Sequence, residues 1–290
     1  MPIFKVIILA IVQGFAELLP VSSSAHVVVA EKLMGLNPSS PQMTLLLVML
    51  HTGTMFAVIA FFWNKWKEAY FSNSDAIRRF ATLVIWATLL TAVIGEALKK
   101  VIEKTLFRGA EKAEIEQLFS HLELIAPALA AVGVLILIAG LLEKRQMKIH
   151  DGPLTMNQAG WMGIVQGLAL PFRGFSRSGS TISAGMLVGA AKERAEEFSF
   201  ALAVVLTPPV VGLELLRLIR ASHAAAATGV AIDLHAALVA SLLGMVFSFV
   251  AGMIALAWLS RWLESGRWYI FGIYCLVASA VVFTLHLQGF

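Results

Sequence analysis

This chain carries six stretches that stay apolar for about 20 residues each, the length an α-helix needs to cross the hydrocarbon core of a bilayer. They run near 44–62, 80–98, 124–142, 198–218, 236–258 and 268–287. In lipid no water satisfies the backbone, so such segments must close their own hydrogen bonds as helices. Composition agrees. Hydrophobic residues make up 59% and charged residues 14%, against roughly 45–50% and 25% in ordinary globular chains. Too few charges remain to cover a water-facing surface. The fold expected is therefore all-α and polytopic, a single integral membrane domain over 1–290. The net charge of +4 suits Lys and Arg beside anionic lipid. No basic run with interleaved aromatics points to nucleic acid. The single cysteine, Cys275, excludes an intramolecular disulfide and a Cys-based zinc site.

Two further apolar stretches do not read as simple spans. Residues 2–35 are interrupted by Leu19-Pro20-Val21-Ser22-Ser23-Ser24. Residues 156–191 are interrupted by Pro171-Phe172-Arg173-Gly174-Phe175-Ser176-Arg177-Ser178-Gly179-Ser180-Thr181. Each reads as two short helices around a polar break. Irregular backbone at membrane depth is tolerated only inside protein or beside a water-filled cavity, so both are expected to be re-entrant hairpins. A secretory signal peptide is the competing reading of 2–35. Gln13 and Glu17 interrupt its apolar run, and no small-x-small cleavage site follows neatly.

The two broken stretches also repeat each other. Ala10-Ile11-Val12-Gln13-Gly14-Phe15 answers Gly163-Ile164-Val165-Gln166-Gly167-Leu168, with Gln13 and Gln166 standing 153 residues apart. Each unit is one hairpin plus three spans: repeat one covers about 1–142 and repeat two about 156–290. Three is odd, so the second unit enters from the opposite face, giving inverted-topology repeats. The connection 99–122 alternates charged and apolar residues and reads equally as an interfacial amphipathic helix or as a solvated loop. Lys and Arg fall almost evenly on the two sides, so the positive-inside rule leaves orientation open.

Ionisable side chains at bilayer depth are costly, and they mark functional sites. Here they gather in the breaks: Glu17, His26, Arg173 and Arg177, with Gln13 and several hydroxyls. His51 and Glu214 are the other candidates at depth. Gln13 and Glu17, four apart, share a helix face. Ser22, Ser23 and Ser24 precede a short helix whose free N–H groups would hold an anion. Plain helix capping is the competing role for these serines. In the second break, Gly174 lets backbone N–H groups approach an anion, and Arg177 offers a planar fork for phosphate oxygens. A bare Arg177–Glu17 pair holding the hairpins together is the competing role, and it fits a site with no ligand bound. Two helix N-termini, one Arg and many hydroxyls suit a phosphate or diphosphate. An apolar surround suits a lipid tail on that phosphate. No nucleotide or zinc motif is present.

The run from Gln13 to His26, Gln13-Gly14-Phe15-Ala16-Glu17-Leu18-Leu19-Pro20-Val21-Ser22-Ser23-Ser24-Ala25-His26, resembles the first signature of the undecaprenyl-diphosphate phosphatases, the bacitracin-resistance proteins. Gly174-Phe175-Ser176-Arg177-Ser178-Gly179-Ser180-Thr181 resembles the second. The resemblance covers essentially the whole chain. It implies a hydrolase that removes the terminal phosphate of the C55 isoprenoid diphosphate, recycling the lipid carrier for peptidoglycan. It implies a multi-pass protein of the bacterial inner membrane with its site open to the periplasm. By motif position, the catalytic residues implied are Glu17, Ser23, His26 and Arg177. Gln13, Ser22, Ser24, Gly174, Ser176, Ser178 and Thr181 are expected to bind substrate. Gln13 stands where many members have Glu, and Arg173 where the family usually has Pro. Ser23 is the expected nucleophile, with Glu17 or His26 as base, and direct attack by water is the alternative chemistry. The metal ligands are unknown. A divalent cation, Mg²⁺ or Ca²⁺, is entertained as a helper, although one carboxylate is thin ligation. Membrane lipid is the surrounding partner, and a homodimer is left open. The competing class is a transporter or flippase of a lipid-linked phosphate, because broken inverted repeats are common in transporters.

Overall fold

The computed structural model describes residues 2–36, 41–106, 121–144, 152–227, 234–263 and 267–289. Among these every regular element is a helix. The first half holds α1 (Ile3–Leu18), α2 (Ser23–Leu33), α3 (Pro41–Tyr70), α4 (Ser74–Leu106) and α5 (Leu122–Lys144). The second holds α6 (Met156–Ala169), α7 (Arg177–Leu187), α8 (Lys192–Ala227), α9 (Leu234–Leu263) and α10 (Tyr269–Leu287). Six of them, α3, α4, α5, α8, α9 and α10, are long and apolar enough to cross a membrane. They are the six spans expected from sequence. Their apolar side chains face outward as well as inward: Val93, Ile85 and Leu89 of α4 lie exposed. Such a face is stable only against lipid tails.

The remaining four helices are the arms of the two broken stretches. α1 has 16 residues and α6 has 14, while α2 and α7 have 11 each. At about 1.5 Å per residue none reaches the roughly 30 Å of a bilayer core. α1 packs along α9 as α6 packs along α4. A removable leader would have no such seat, so the signal-peptide reading of 2–35 gives way to an integral part of the fold.

Small residues make this packing close. A Cβ at Gly14 of α1 would stand 2.4 Å from Ala251 Cβ on α9. One at Gly167, the matching position of α6, would stand 2.8 Å from the Thr91 carbonyl oxygen on α4. Close backbone approach replaces the hydrophobic driving force that lipid abolishes. Polar side chains stitch the same seams. Thr91 Oγ1 donates to the Gly163 carbonyl at 2.9 Å, and Ser248 of α9 donates to the Leu50 carbonyl of α3 at 2.9 Å. Cys275 is buried as a free thiol.

Two boundaries differ from the sequence reading. Residues 99–106 continue α4 rather than begin a separate element, and 107–120 lie outside the described residues. The second break is also shorter than expected, because α7 starts at Arg177. The reason is local: the Ser176 hydroxyl accepts the Gly179 N–H at 3.2 Å and caps the helix there. Pro208 and Pro209 sit inside α8 without ending it, as membrane helices permit.

Replacing Gly14 or Gly167 by Leu should force α1 from α9 or α6 from α4, costing about 1–3 kcal/mol as overpacking does. Thermal unfolding in detergent should fall for both. Gly212→Ala, where nothing lies within 4 Å of the new Cβ, should leave it unchanged. Equal midpoints for all three would contradict the close-packing account.

Candidate active site

The two breaks meet, and each is shaped by its own residues. Ser22 sits at the N-cap of α2 with φ 68° and ψ 89°, the left-handed region. It is the sole non-glycine with positive φ among the described residues. That conformation costs about 1–2 kcal/mol for an L-residue and needs external support. His26 supplies it. Its Nδ1 lies 2.8 Å from the Ser22 carbonyl oxygen, which can only accept, so Nδ1 carries the hydrogen. Its Nε2 therefore accepts from the Tyr274 hydroxyl of α10 at 2.7 Å, and the two rings stack. No side chain caps α2. The capping role weighed for the serines is thus not what Ser22 does, and the first-turn N–H groups of α2 have no side-chain acceptor.

In the second break Gly174 has φ +101°, and a Cβ there would stand 2.5 Å from the Ile125 carbonyl oxygen. Only glycine fits. Its N–H donates to Ser24 Oγ at 3.5 Å, which ties one break to the other. Thr181 Oγ1 donates to the Arg177 carbonyl at 2.8 Å and pairs with Ser199 Oγ at 2.6 Å, fixing the first turn of α7.

The charges then converge. Arg177 Nη2 donates to Glu17 Oε1 at 2.7 Å, joining α7 to α1. The other oxygen, Glu17 Oε2, accepts from Ser23 Oγ at 2.5 Å and from Gln13 Nε2 at 3.1 Å. His51 Nδ1, from α3, lies 3.2 Å from the same oxygen and 2.8 Å from Gln13 Nε2. The ion pair between the hairpins, weighed from sequence as the role of an empty site, is formed.

These groups border a cavity of about 330 Å³. Glu17, Ser22, Ser23, Ser24, Ser176, Arg177 and Ser178 line it. Four other residues expected at the site stand behind its wall. Gln13 and His26 support Glu17 and Ser22, Gly174 spaces the loop, and Thr181 braces α7. The sequence places Arg173 in the second break and marks His51 as a candidate at depth without joining it to either break; both line the cavity. The signal for His51 was a polar side chain in an otherwise apolar run. The side chain of Glu214 lies outside the described residues. Arg173 also acts electrostatically on Glu31 of α2, a fully buried carboxylate with no hydrogen-bond partner on either oxygen.

Chemically, the cavity brings together the starts of two helices and two guanidinium groups against a single carboxylate, an arrangement that attracts anions. It fits a metal ion poorly. Among the described residues no group of three His, Cys, Asp or Glu side chains comes together. Glu17 is the one carboxylate among the lining residues, and it already pairs with Arg177.

Known proteins carry the same sequence pattern. Residues 6–281 match the family described as bacitracin resistance protein BacA. The chain is 55% identical over 286 residues to the protein named undecaprenyl-diphosphatase 2 of Acinetobacter baylyi, covering 98% of each. It is 30% identical to undecaprenyl-diphosphatase 2 of Burkholderia thailandensis, over 96% of this chain and 95% of that one. It is 28% identical to undecaprenyl-diphosphatase of Desulfitobacterium hafniense, over 97% and 94%. The match runs through both breaks and all six spans, and the chain belongs to the BacA bacitracin-resistance family.

Proposed function

We propose that this chain is a membrane phosphatase that hydrolyses undecaprenyl diphosphate to undecaprenyl phosphate and inorganic phosphate. The observation that carries the chemistry is the bond of 2.5 Å from Ser23 Oγ to Glu17 Oε2, with Arg177 on the other carboxylate oxygen. A hydroxyl is a weak nucleophile until a base takes its proton, and here the base is already in contact. Ser23 Oγ attacks the terminal phosphorus and gives its proton to Glu17. The bond from phosphorus to the bridging oxygen breaks, and undecaprenyl phosphate leaves. Water then attacks the phosphoserine, and inorganic phosphate departs.

Phosphoryl transfer depends chiefly on positioning and on neutralising oxygens. Arg177 Nη1 reaches the Ser199 carbonyl at 3.4 Å, so the guanidinium is anchored on a second helix while facing the cavity. The Ser178 hydroxyl and the first-turn N–H groups of α2 add neutral donors. His26 serves as a positioning residue for Ser22, because both of its ring nitrogens are engaged. That leaves Glu17 as the base.

The prenyl tail requires an apolar path. Leu170 and Phe172 form an exposed apolar rim to the cavity. Leu170 also borders a second groove of about 650 Å³ against α4, walled by Ala92, Val93 and Pro171, with Glu96 and Lys99 of α4 also on its lining. A lipid diphosphate entering sideways would lay its tail there and its head on Arg177. The protein would lie in the bacterial inner membrane with the cavity open to the periplasm, and the released carrier would be recycled for envelope synthesis.

Purified protein in detergent should release phosphate from C55 diphosphate, and more slowly from a C15 analogue with less tail to bury. Release should persist in EDTA. A protein that binds the lipid yet releases no phosphate in detergent would be a carrier instead, since detergent has no two sides to move between.

Arg177→Lys keeps the charge but loses the planar fork. Turnover should drop by about 10² or more, as when a principal charge stabiliser is removed. Near-native turnover in a folded Arg177→Lys protein would remove Arg177 from the assigned role.

A further inference from the structure

The phosphatase reading leaves a proton unaccounted for. A lipid diphosphate carrying three negative charges becomes a phosphoserine and a lipid phosphate carrying two each, so one proton must leave the site. In the scheme above it rests on Glu17. Glu17 cannot keep it, because a neutral carboxyl would leave Arg177 without its counter-charge and could not serve the next turnover. Gln13 beside it has an amide, which takes no proton.

The side chain that can take it comes from a different helix. His51 lies on α3 and lines the cavity. Its Nδ1 has two neighbours. At 2.8 Å is Gln13 Nε2, an amide nitrogen that can only donate. At 3.2 Å is Glu17 Oε2, the oxygen that holds the Ser23 hydroxyl. One ring nitrogen cannot serve both at once. Without a hydrogen it accepts from Gln13. With one it donates to Glu17, and Gln13 swings to its remaining partner, the same carboxylate at 3.1 Å. The site is therefore built with two proton arrangements and little movement between them.

Resting on the phosphatase reading, we propose that His51 is the proton outlet of this site, receiving through Glu17 the proton taken from Ser23. The path is Ser23 Oγ to Glu17 Oε2 to His51 Nδ1. The ring then gives up the hydrogen on Nε2 to water in the cavity, which it lines with its side chain 40% exposed. One proton leaves for each phosphoserine formed, which balances the transfer. The return of the ring to its first tautomer completes the cycle.

Charged groups reach the space around His51 from several elements. From α1 comes Glu17 and from α7 Arg177, both bordering the same space. Arg173 lies across the larger cavity. α8 contributes Ala203, Val204 and Thr207 there, none of which titrates. From α9, which packs along α3, the nearest polar contact is the Ser248 hydroxyl on the Leu50 carbonyl. Two guanidinium groups and an incoming diphosphate leave His51 as the one imidazole among the lining residues able to pass a proton on.

His51→Gln retains hydrogen bonding to Gln13 and Glu17 but accepts no proton. Phosphate release should show kcat lowered by about 10², the usual scale of acid–base catalysis, with KM within about twofold. The pH–rate profile should change shape, as loss of a proton-carrying group requires. Added imidazole should restore turnover to His51→Ala. Most directly, Gln13→Glu placed in the His51→Gln protein should recover part of the lost kcat, because it supplies a second carboxylate beside Glu17. Native kcat and an unchanged profile in His51→Gln would overturn the outlet. So would a loss that neither imidazole nor Gln13→Glu repairs, since that marks a purely structural histidine. A native protein that releases no phosphate at all would instead overturn the phosphatase reading on which the outlet stands.

Discussion

The site hangs on the pair between Glu17 and Arg177. The two side chains come from hairpins 160 residues apart in sequence and meet at 2.7 Å. Neither charge would be tolerated alone among six apolar spans. Removing one partner of such a pair typically costs about 3–5 kcal/mol, because the other is left buried and unmatched. The pair is not sealed, however. Arg177 keeps 25% of its side-chain surface exposed and Glu17 keeps 14%, both toward the cavity. A phosphate oxygen can therefore compete for the guanidinium, while Glu17 retains the Ser23 hydroxyl. One contact thus registers the two halves of the fold and, in the proposed reaction, would hold Glu17 and Arg177 in place before substrate arrives.

Everything else serves that registration. Gly14 and Gly167 let the hairpin arms sink onto α9 and α4. Gly174 lets the second break pass over Ile125. The strained Ser22 turns the start of α2 toward the cavity, and the His26–Tyr274 pair holds it there. Strain of this kind persists only where the surroundings over-determine it, and such places are commonly functional.

The sequence made much of this readable. Length and apolarity marked all six spans, because in lipid the backbone has no other choice. Pro20, Pro171 and the serines marked both breaks, and the spacing of Gln13 from Glu17 placed them on one face. What it hid depends on which faces meet. His51 stands in an apolar run of α3, and nothing local says that this face turns toward α1. The start of α7 depended on a hydroxyl of Ser176 finding the Gly179 N–H, a matter of geometry rather than residue type. His26 looked like a base from its place in the motif, while its two nitrogens are committed to Ser22 and Tyr274, a residue 248 positions away. The extension of α4 past residue 99 was masked by its charges, which sit comfortably on a helix leaving the membrane.

In the proposed reaction Ser23, primed by Glu17, attacks phosphorus and carries the phosphoryl group for part of each cycle. Rapid acid quench of the protein with terminally ³²P-labelled undecaprenyl diphosphate, followed by mapping of the labelled peptide, tests it most directly. The account predicts label on Ser23, appearing before free phosphate and absent in Ser23→Ala, which should also be nearly inactive. Unlabelled protein together with substantial turnover by Ser23→Ala would contradict it, and would make water, aligned by Glu17, the attacking group.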